Sequence, residues 1–247
     1  MISISHLNKS FAKNHILKDI SARIEPGTIT AIAGPNGSGK TTLMKCLLGL
    51  LRYESGEIAI NGHDISRSSL YKKETGYVPQ QSALPPNLSV EDMVSMLMEL
   101  RSAAYSRYEE LVSLLHLEGQ TQKKSSSLSG GTKQKAGLLL GMLFHPSVLI
   151  LDEPLSYLDP ATSVVVKEEL LRMKENGCTV LLSSHNMHEI EEIAGQLIYI
   201  LEGRIHFSGS PVQLMEHHGT ATLESALSHV LKNHYESNRQ NLKIYRA

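Results

Sequence analysis

Short apolar runs alternate with longer segments of helical periodicity along most of the chain. Runs such as "TITAIAG" and "VLILDEP" are almost uniformly apolar, which is typical of strands buried on both faces of a parallel sheet. Segments with apolar positions three and four residues apart occur between them, such as "PATSVVVKEELLRMKENG", where Gly177 ends the predicted helix. Strands that alternate with helices predict an α/β fold with a parallel sheet.

Two parts of the chain depart from this alternation. Near the beginning, "MISISHL" and "HILKDISARIEPG" indicate strands, and "SGEIAINGHDI" predicts a hairpin that turns at Asn61-Gly62. From about residue 86 to residue 144 the pattern is helical, and Ser89 followed by Asp92 is typical of a capping box. We therefore expect a helical subdomain inserted at about 86–144, and one or two short helices near the end of the chain.

Composition narrows the class of protein. The chain has 247 residues, 41% of them hydrophobic, so it can build a substantial core. The net charge is −1, whereas proteins that bind nucleic acid usually carry a basic excess. No apolar run approaches the ~20 residues that span a bilayer. We expect a cytosolic chain whose two cysteines are reduced, with any membrane-spanning segments supplied by other polypeptides.

One glycine-rich loop carries a strong signal for phosphate binding. The stretch "GPNGSGKT" fits G-x-x-x-x-G-K-[ST], and it lies between a predicted buried strand and the predicted helix "LMKCLLGLL". In such a loop, backbone N–H groups face phosphate oxygens, the lysine reaches the β- and γ-phosphates, and the last residue binds Mg²⁺. The predicted ligand-binding residues are Gly34, Pro35, Asn36, Gly37, Ser38, Gly39, Lys40, Thr41 and Thr42.

Two adjacent carboxylates, Asp152 and Glu153, end the predicted strand "VLILDEP". Carboxylates at the end of a buried strand are costly unless a ligand or a reaction uses them. At this edge of a parallel sheet they lie where ligands bind. We expect Asp152 to bind the same Mg²⁺ as Thr41, and Glu153 to act as the general base on the water that attacks the γ-phosphate.

A second candidate phosphate site lies in "LSGGTKQK", where Ser129, Gly130 and Gly131 precede a predicted helix. The free N–H groups and the dipole of a helix N-terminus favour an anion. The chain therefore carries two predicted phosphate-binding helix starts.

Together these motifs resemble those of the nucleotide-binding subunit of ABC transporters, over residues 1 to about 210. "LSGGTKQK" is similar to the family's signature sequence, and further matches follow in the family's order. The resemblance implies that Phe11 stacks on adenine, that Gln80 links Mg²⁺ and the attacking water to the membrane subunits, that Asp159 belongs to the D-loop, and that His185 contacts the γ-phosphate. Tyr157 occupies a D-loop position that is usually small.

The resemblance also implies a fold and an assembly. The expected fold is that of a P-loop NTPase, α/β, with a RecA-like parallel-sheet core, an N-terminal antiparallel β subdomain and the inserted helical subdomain. The expected domains are an ATPase domain at 1–210 and a short tail at 211–247. Two such domains pack head to tail, so that Ser129, Gly130 and Gly131 bind the ATP held by the phosphate loop of the partner.

The expected function is an ATPase subunit, with ATP and Mg²⁺ as ligands, that drives a membrane transporter. Its expected partners are transmembrane permease subunits and a second copy or a paralogue, and its expected location is the inner face of the cell membrane. The tail, with "TLE" before a last helix, resembles that of export subunits. The alternative is a soluble ABC-type ATPase that acts on nucleic acid or ribosomes, which the charge balance disfavours.

The twelve histidines also raise the possibility of a metal site. His185 and His188 are three residues apart, and His217 and His218 are adjacent. A metal site would also need a set of carboxylate or thiol partners at ligand spacing, and we recognise no such set in the sequence. We therefore expect His188, His217 and His218 to be solvated.

Overall fold

The computed structural model describes residues 1–80, 82–103 and 106–232. The strands are β1 Ile2–Phe11, β2 Asn14–Ile24, β3 Ile29–Ala33, β4 Ser55–Ile60, β5 His63–Asp64, β6 Thr75–Val78, β7 Val148–Asp152, β8 Thr179–Ser183, β9 Gln196–Leu201 and β10 Arg204–Gly209. The helices are α1 Lys40–Leu47, α2 Tyr71–Glu74, α3 Val90–Arg101, α4 Tyr108–Leu114, α5 Gly130–Met142, α6 Pro160–Glu175, α7 Met187–Ile193 and α8 Pro211–His218. A helix over residues 223–232, here called the tail helix, follows.

A six-stranded sheet in the order β10-β9-β3-β8-β7-β6 forms the centre of the molecule, and its strands are parallel except for β10 at the edge. Every residue of β3, β7 and β8 is buried, as their uniformly apolar patterns predict. Asp152 pairs with Ser183 in the register of β7 and β8. The carboxyl ends of β3, β7 and β8 therefore bring the phosphate loop, Asp152 and the segment before His185 to one edge of the sheet.

An antiparallel sheet in the order β2-β1-β4-β5 covers one side of this core. Helix α1 lies between the two sheets, where Leu43 and Leu47 pack with residues of both, such as Ile20 and Ile150. The predicted turn between β4 and β5 is present, because Asn61 and Gly62 have φ angles of 50° and 79°, which a tight hairpin turn requires. The expected α/β architecture with an antiparallel N-terminal sheet is confirmed.

Helices α3, α4 and α5 occupy the chain between β6 and β7, with a 3-10 turn at Ser125–Ser127 before α5. The predicted capping box begins α3: Ser89 accepts from the backbone of Asp92, and the Asp92 carboxylate accepts from the backbone of Ser89. Arg107 is 1% exposed and anchors α4, because its backbone N–H donates to Leu143 at 2.9 Å. The boundaries at 86–144 and at residue 210 stay predictions.

The tail helix packs against the main core rather than projecting from it. Leu223 and Ala226 are fully buried, and Leu227 is nearly so. Its first backbone N–H, at Leu223, donates to Glu191 Oε1 of α7 at 2.5 Å. Of the one or two short helices expected near the end, two are present, α8 and the tail helix, and the polar segment 233–247 lies outside the described residues.

Candidate active site

The glycines of the phosphate loop are required for different reasons. A Cβ on Gly34 would lie 2.0 Å from the carbonyl oxygen of Ile200, and one on Gly39 would lie 2.8 Å from Leu17 Cδ2. Gly37 has open space around it, but its φ of 80° favours glycine. The loop runs directly into α1, which begins at Lys40 without a side-chain cap on its N-terminus. The helix starts three residues before "LMKCLLGLL", and its first N–H groups are left for an anion.

Lys40 and Ser38 are buried inside this loop. Lys40 Nζ donates to the carbonyl oxygens of Gly34 at 2.7 Å and Pro35 at 3.2 Å. Burial lowers the pKa of Lys40, and the nearby charges of Glu153 and Asp152 oppose that shift. Ser38 Oγ is buried with no hydrogen-bond partner among the described residues. A buried hydroxyl without a partner is costly, so the loop fits a phosphate group that would supply one.

A cleft of about 410 Å³ opens from the loop toward β1. The loop lines it with Asn36, Gly37, Gly39, Lys40, Thr41 and Thr42, and the lining is completed by Phe11, Ile16, Gln80 and Glu153. Phe11 is 47% exposed, and Lys9 Nζ lies 5.0 Å from the centre of its ring. An exposed aromatic ring at the cleft has the shape and chemistry to stack on a flat base. Its role in adenine binding stays a prediction.

Ser183, which is not among the residues predicted for the site, supports both predicted carboxylates. Its Oγ donates to Asp152 Oδ1 at 2.6 Å and accepts from the backbone N–H of Glu153 at 2.9 Å. Asp152 is 2% exposed, so this hydrogen bond replaces some of the solvation that burial removes. A serine at the end of the apolar run "TVLLS" was the available signal, because it ends the strand next to β7.

Three polar side chains converge on one oxygen of Glu153. Gln80 Nε2 donates to Oε2 at 3.2 Å, Ser156 Oγ donates to it at 3.3 Å, and His185 Nδ1 lies 3.3 Å from it. The Glu153 side chain is 12% exposed, and its backbone has a φ of 49°. The structure thus brings together the predicted catalytic residues Glu153, His185 and Gln80 at the phosphate loop. An oriented carboxylate beside a phosphate-binding loop can accept a proton from water.

The other predicted ligand residues lie elsewhere on the chain. Ser129 caps α5, because its Oγ accepts from the Thr132 backbone at 3.2 Å, and Gly130 lines a different pocket that also contains Tyr157. Asp159 caps α6, and hydrogen bonds from the side chain and backbone of Thr162 lower its pKa to about 2. Within the described part of the chain, neither of the two clefts at the phosphate loop is lined by these residues, and the pocket at Gly130 is not lined by the phosphate loop.

A buried glutamine connects the two regions. Gln134 of α5 is 2% exposed, its Nε2 donates to the carbonyl oxygen of Pro154 at 3.1 Å, and its Oε1 accepts from Ser82 at 3.2 Å. Pro154 directly follows Glu153. The start of α5 is therefore held at a fixed position relative to the carboxylate end of β7.

The histidines considered for a metal site, His188, His217 and His218, line neither cleft at the phosphate loop. His188 is largely exposed, and its Nε2 lies 3.2 Å from Glu192. The His217 and His218 rings are in edge contact with centres 5.0 Å apart, and the His229 ring contacts His218. Desolvation lowers the pKa of His218, and the charges of His217 and His229 lower it further. None of the helices that the described ranges contain combines the length and apolar character needed to cross a membrane.

Comparison with known proteins identifies the family. Residues 17–156 match the family model described as ABC transporter. The chain is 31% identical over 234 residues to a sulfate/thiosulfate import ATP-binding protein of Synechococcus elongatus, covering 93% of this chain and 68% of that protein. It is 34% identical over 205 residues to a lantibiotic transport ATP-binding protein of Streptococcus pyogenes, covering 83% and 89%.

Solved structures agree in fold. An ATP binding subunit of an ABC transporter has a TM-score of 0.87 at 24% identity, covering 94% of this chain and 99% of the other. The dimeric structure of MJ0796, a bacterial ABC transporter cassette, has a TM-score of 0.76 at 24% identity, covering 85% and 98%. With a family match over more than half its length and a phosphate loop set against paired carboxylates, the chain belongs to the ABC transporter family, as an ATP-binding subunit that hydrolyses ATP.

Proposed function

We propose that this chain hydrolyses ATP with Glu153 as the general base, and that the reaction drives a membrane transporter. The observation that carries the proposal is the convergence of Gln80, Ser156 and His185 on Glu153 Oε2 beside the phosphate loop. A carboxylate held in this way is oriented toward a water near the γ-phosphate before ATP binds. A positioned base contributes about 10²–10⁴-fold to such a step.

The other residues of the site bind and orient the nucleotide. The phosphate loop and Lys40 hold the phosphates, Phe11 stacks on the base, and His185 contacts the γ-phosphate. Thr41, Gln80 and Asp152 would hold Mg²⁺, because hydroxyl, amide and carboxylate oxygens are the ligands it prefers. When bound, Mg²⁺ neutralises phosphate charge that develops during the reaction.

We propose that two chains pack head to tail, each completing the site of the other. The separation of Ser129, Gly130 and Gly131 from the phosphate loop supports this, because one chain then has two phosphate-binding helix starts that do not meet. The similarity in fold to a dimeric cassette is consistent with it. ATP would lie within the interface, so its binding favours the closed pair and its hydrolysis weakens it.

The proposed membrane partner is a permease, which would hold the chain at the inner face of the cell membrane. A groove of about 580 Å³ supports a docking role, and its lining combines apolar residues with basic ones and a histidine, which are Leu97, Leu100, Ala103, Phe144, Lys72, Lys73, Arg101 and His145. Leu100 is 81% exposed, which is costly for a surface that stays in water.

We propose that transport is outward, and this proposal rests on the tail sequence alone. The relatives do not decide the direction, because they include a sulfate/thiosulfate import protein as well as a lantibiotic transport protein.

Glu153→Gln tests the reaction, and the exposed Glu118→Gln is its control. We expect Glu153→Gln to abolish phosphate release while it retains ATP and forms ATP-dependent dimers, measured by light scattering. Normal turnover in this variant would contradict the mechanism.

Isolation of the native complex from detergent extracts tests the partner. It should recover a membrane polypeptide, whereas recovery of RNA or DNA would favour the soluble alternative.

Complementation tests the head-to-tail arrangement. Lys40→Ala and Ser129→Arg should each be inactive alone. Mixed, they form dimers that contain one intact site, built from Lys40 of one chain and Ser129 of the other, and recover up to about a quarter of wild-type hydrolysis. A mixture as inactive as its components would show that both residues must come from the same chain.

A further inference from the structure

A second cleft, of about 510 Å³, lies beside the phosphate loop on the side of His185. The tail helix lines this cleft together with residues of the candidate active site, which are Gly34, Pro35, Asn36, Gln80, Glu153 and His185. On that helix, Glu224, Ser228 and Leu231 are four and then three residues apart, so they share the face that lines the cleft. The predicted nucleotide contacts include residues of both clefts, but they leave the tail helix without a role.

The tail helix is a fixed part of the fold. Leu223 and Ala226, on the other face of the tail helix, are fully buried in the main core. Glu191 Oε1 accepts the hydrogen bond from the Leu223 backbone and so holds the first turn of the helix against α7. The cleft face therefore stands at a defined distance from His185, which precedes α7 in the chain.

Tyr157 is the unusual residue of the D-loop, and its conformation is strained. Tyr157 is 65% exposed, and its backbone φ is 69°, in the region that favours glycine. It lies next to the signature residues, because a Cβ on Gly131 would be 3.0 Å from the Tyr157 carbonyl oxygen. An exposed aromatic ring on a strained backbone, beside a surface proposed to meet a partner, is typical of an interface anchor.

We propose that Tyr157 of the partner subunit inserts into the cleft between Asn36 and the tail helix when ATP closes the dimer. This inference rests on the proposed head-to-tail arrangement. In that arrangement the partner's Ser129 and Gly131 approach the phosphate loop, and Tyr157 of the partner subunit arrives with them. ATP fills the cleft at Phe11 and its γ-phosphate is predicted to lie at Glu153 and His185, so the space that stays open beside the loop is the part of the second cleft toward the tail helix.

The chemistry of the cleft suits a tyrosine. Leu227 and Leu231 offer apolar surface for the ring, and the Glu224 carboxylate or the Ser228 hydroxyl can accept a hydrogen bond from the phenol. Two-fold symmetry repeats the contact, so a homodimer contains it twice. Closure of the dimer would thereby be communicated directly to the tail helix.

Disulfide cross-linking tests the contact. One population carries Glu153→Gln with Tyr157→Cys, and a second, differently tagged population carries Glu153→Gln with Leu231→Cys. The native Cys46 and Cys178 are buried and do not compete. With ATP and a mild oxidant, we expect a linked pair that contains both tags, and no linked pair with ADP. Val212→Cys, on the exposed surface of α8, replaces Leu231→Cys in the control and should not link.

Light scattering on the same samples separates this inference from the proposed function. ATP-dependent dimers without the mixed disulfide would overturn the Tyr157 contact and leave the head-to-tail dimer intact. Absence of dimers would overturn both. In a single chain with Tyr157→Cys and Leu231→Cys, disulfides formed only within the chain would assign the cleft to a segment of the same molecule and would also overturn the proposal.

Three substitutions at Tyr157 separate the ring from the backbone. Tyr157→Ala should weaken ATP-dependent dimerisation about tenfold or more, as truncation of an aromatic anchor does. Tyr157→Phe keeps the ring and should remain within about threefold of wild type. Tyr157→Gly should weaken dimerisation like Ala while it raises the melting temperature, because glycine accepts a positive φ. Unchanged dimerisation in the Ala and Gly variants would overturn the proposal.

Discussion

The imidazole of His185 lies against the carboxylate of Glu153, with Nδ1 3.3 Å from Oε2. Glu153 directly follows β7, and His185 lies two residues after the end of β8. These two strands are neighbours in the parallel sheet. The pair is therefore positioned by the sheet itself rather than by bound nucleotide.

His185→Ala should reduce kcat for ATP hydrolysis about 10²-fold or more, because the carboxylate loses a positioning contact and the γ-phosphate loses a predicted one. ATP affinity should change little, since the phosphate loop is intact. Phosphate release at saturating ATP and equilibrium binding measure the two effects. His188→Ala, at a largely exposed residue three positions away, is the matched control. Equal kcat values for the two variants would contradict the assigned role.

Ser38→Ala should affect ligand binding but not the stability of the free protein. The hydroxyl is buried without a described partner, so removing it leaves the free energy of unfolding unchanged or raises it by up to about 1 kcal/mol. ATP affinity should fall about tenfold, because a hydrogen bond to a charged phosphate is lost. Urea unfolding without ATP and a binding titration test this, with the exposed Ser126→Ala as control. A destabilised free protein with normal ATP affinity would refute the assignment.

Arg107→Met should strongly destabilise the protein. Arg107 is 1% exposed and donates to Glu110 and to Glu169, which is itself 2% exposed. Its loss leaves a buried carboxylate short of a partner, at a cost of about 3–5 kcal/mol. Arg172→Met, at a half-exposed arginine in the same network, should cost about 1 kcal/mol or less. Denaturant unfolding compares them, and the double variant Arg107→Met with Glu169→Leu should recover much of the loss. Similar costs for the two arginines would show that burial is not what makes Arg107 important.

Glu110 should contribute to acid unfolding. Hydrogen bonds from Arg107, and less strongly from Arg172, lower its pKa from 4.5 to about 2. A lowered pKa stabilises the folded state at pH values above 4.5, and this contribution is lost as the pH falls from 4.5 toward 2. Glu110→Gln should therefore lower stability at neutral pH and flatten its dependence on pH in that window. Unfolding curves measured from pH 7 downward check this, and an unchanged slope would contradict it.

The two cysteines should be unreactive in the folded protein. Burial raises the pKa of Cys46 to about 11 and that of Cys178 to about 12. Since the thiolate is the reactive form, an alkylating reagent at pH 8 should modify neither residue until the protein unfolds. Mass spectrometry after labelling, with and without urea, measures this. Rapid labelling of the native protein would show that one of these thiols is accessible.

The sequence predicted those parts of the site that depend on local chemistry. The phosphate loop, the Asp152-Glu153 pair and the Asn61-Gly62 turn each follow from a few consecutive residues with restricted backbone or charge requirements. The start of α1 was placed too late, because apolar periodicity marks only the buried face of a helix. The polar first turn at Lys40 belongs to the phosphate loop as well as to the helix.

Parts that depend on packing between distant segments could not be predicted. Ser183 supports Asp152 because β7 and β8 pair in a register that places the two residues side by side. The sequence of either strand alone does not determine that register. The tail helix reaches the phosphate loop because Leu223 is buried and Glu191 holds its first turn. A tail of mixed polar and apolar residues could pack in many positions, and its contacts with the folded core determine which one it takes.

The amide of Gln134 has a consequence for how two ATP sites would influence each other. It ties the helix that begins at Gly130 to Pro154, one residue beyond the Glu153 carboxylate. In the proposed dimer, that carboxylate serves the chain's own nucleotide, whereas that helix serves the nucleotide of its neighbour. A movement after hydrolysis at one site would then be transmitted through a single buried side chain to the helix that contacts the second nucleotide, so hydrolysis at one site would change the affinity of the other for ATP.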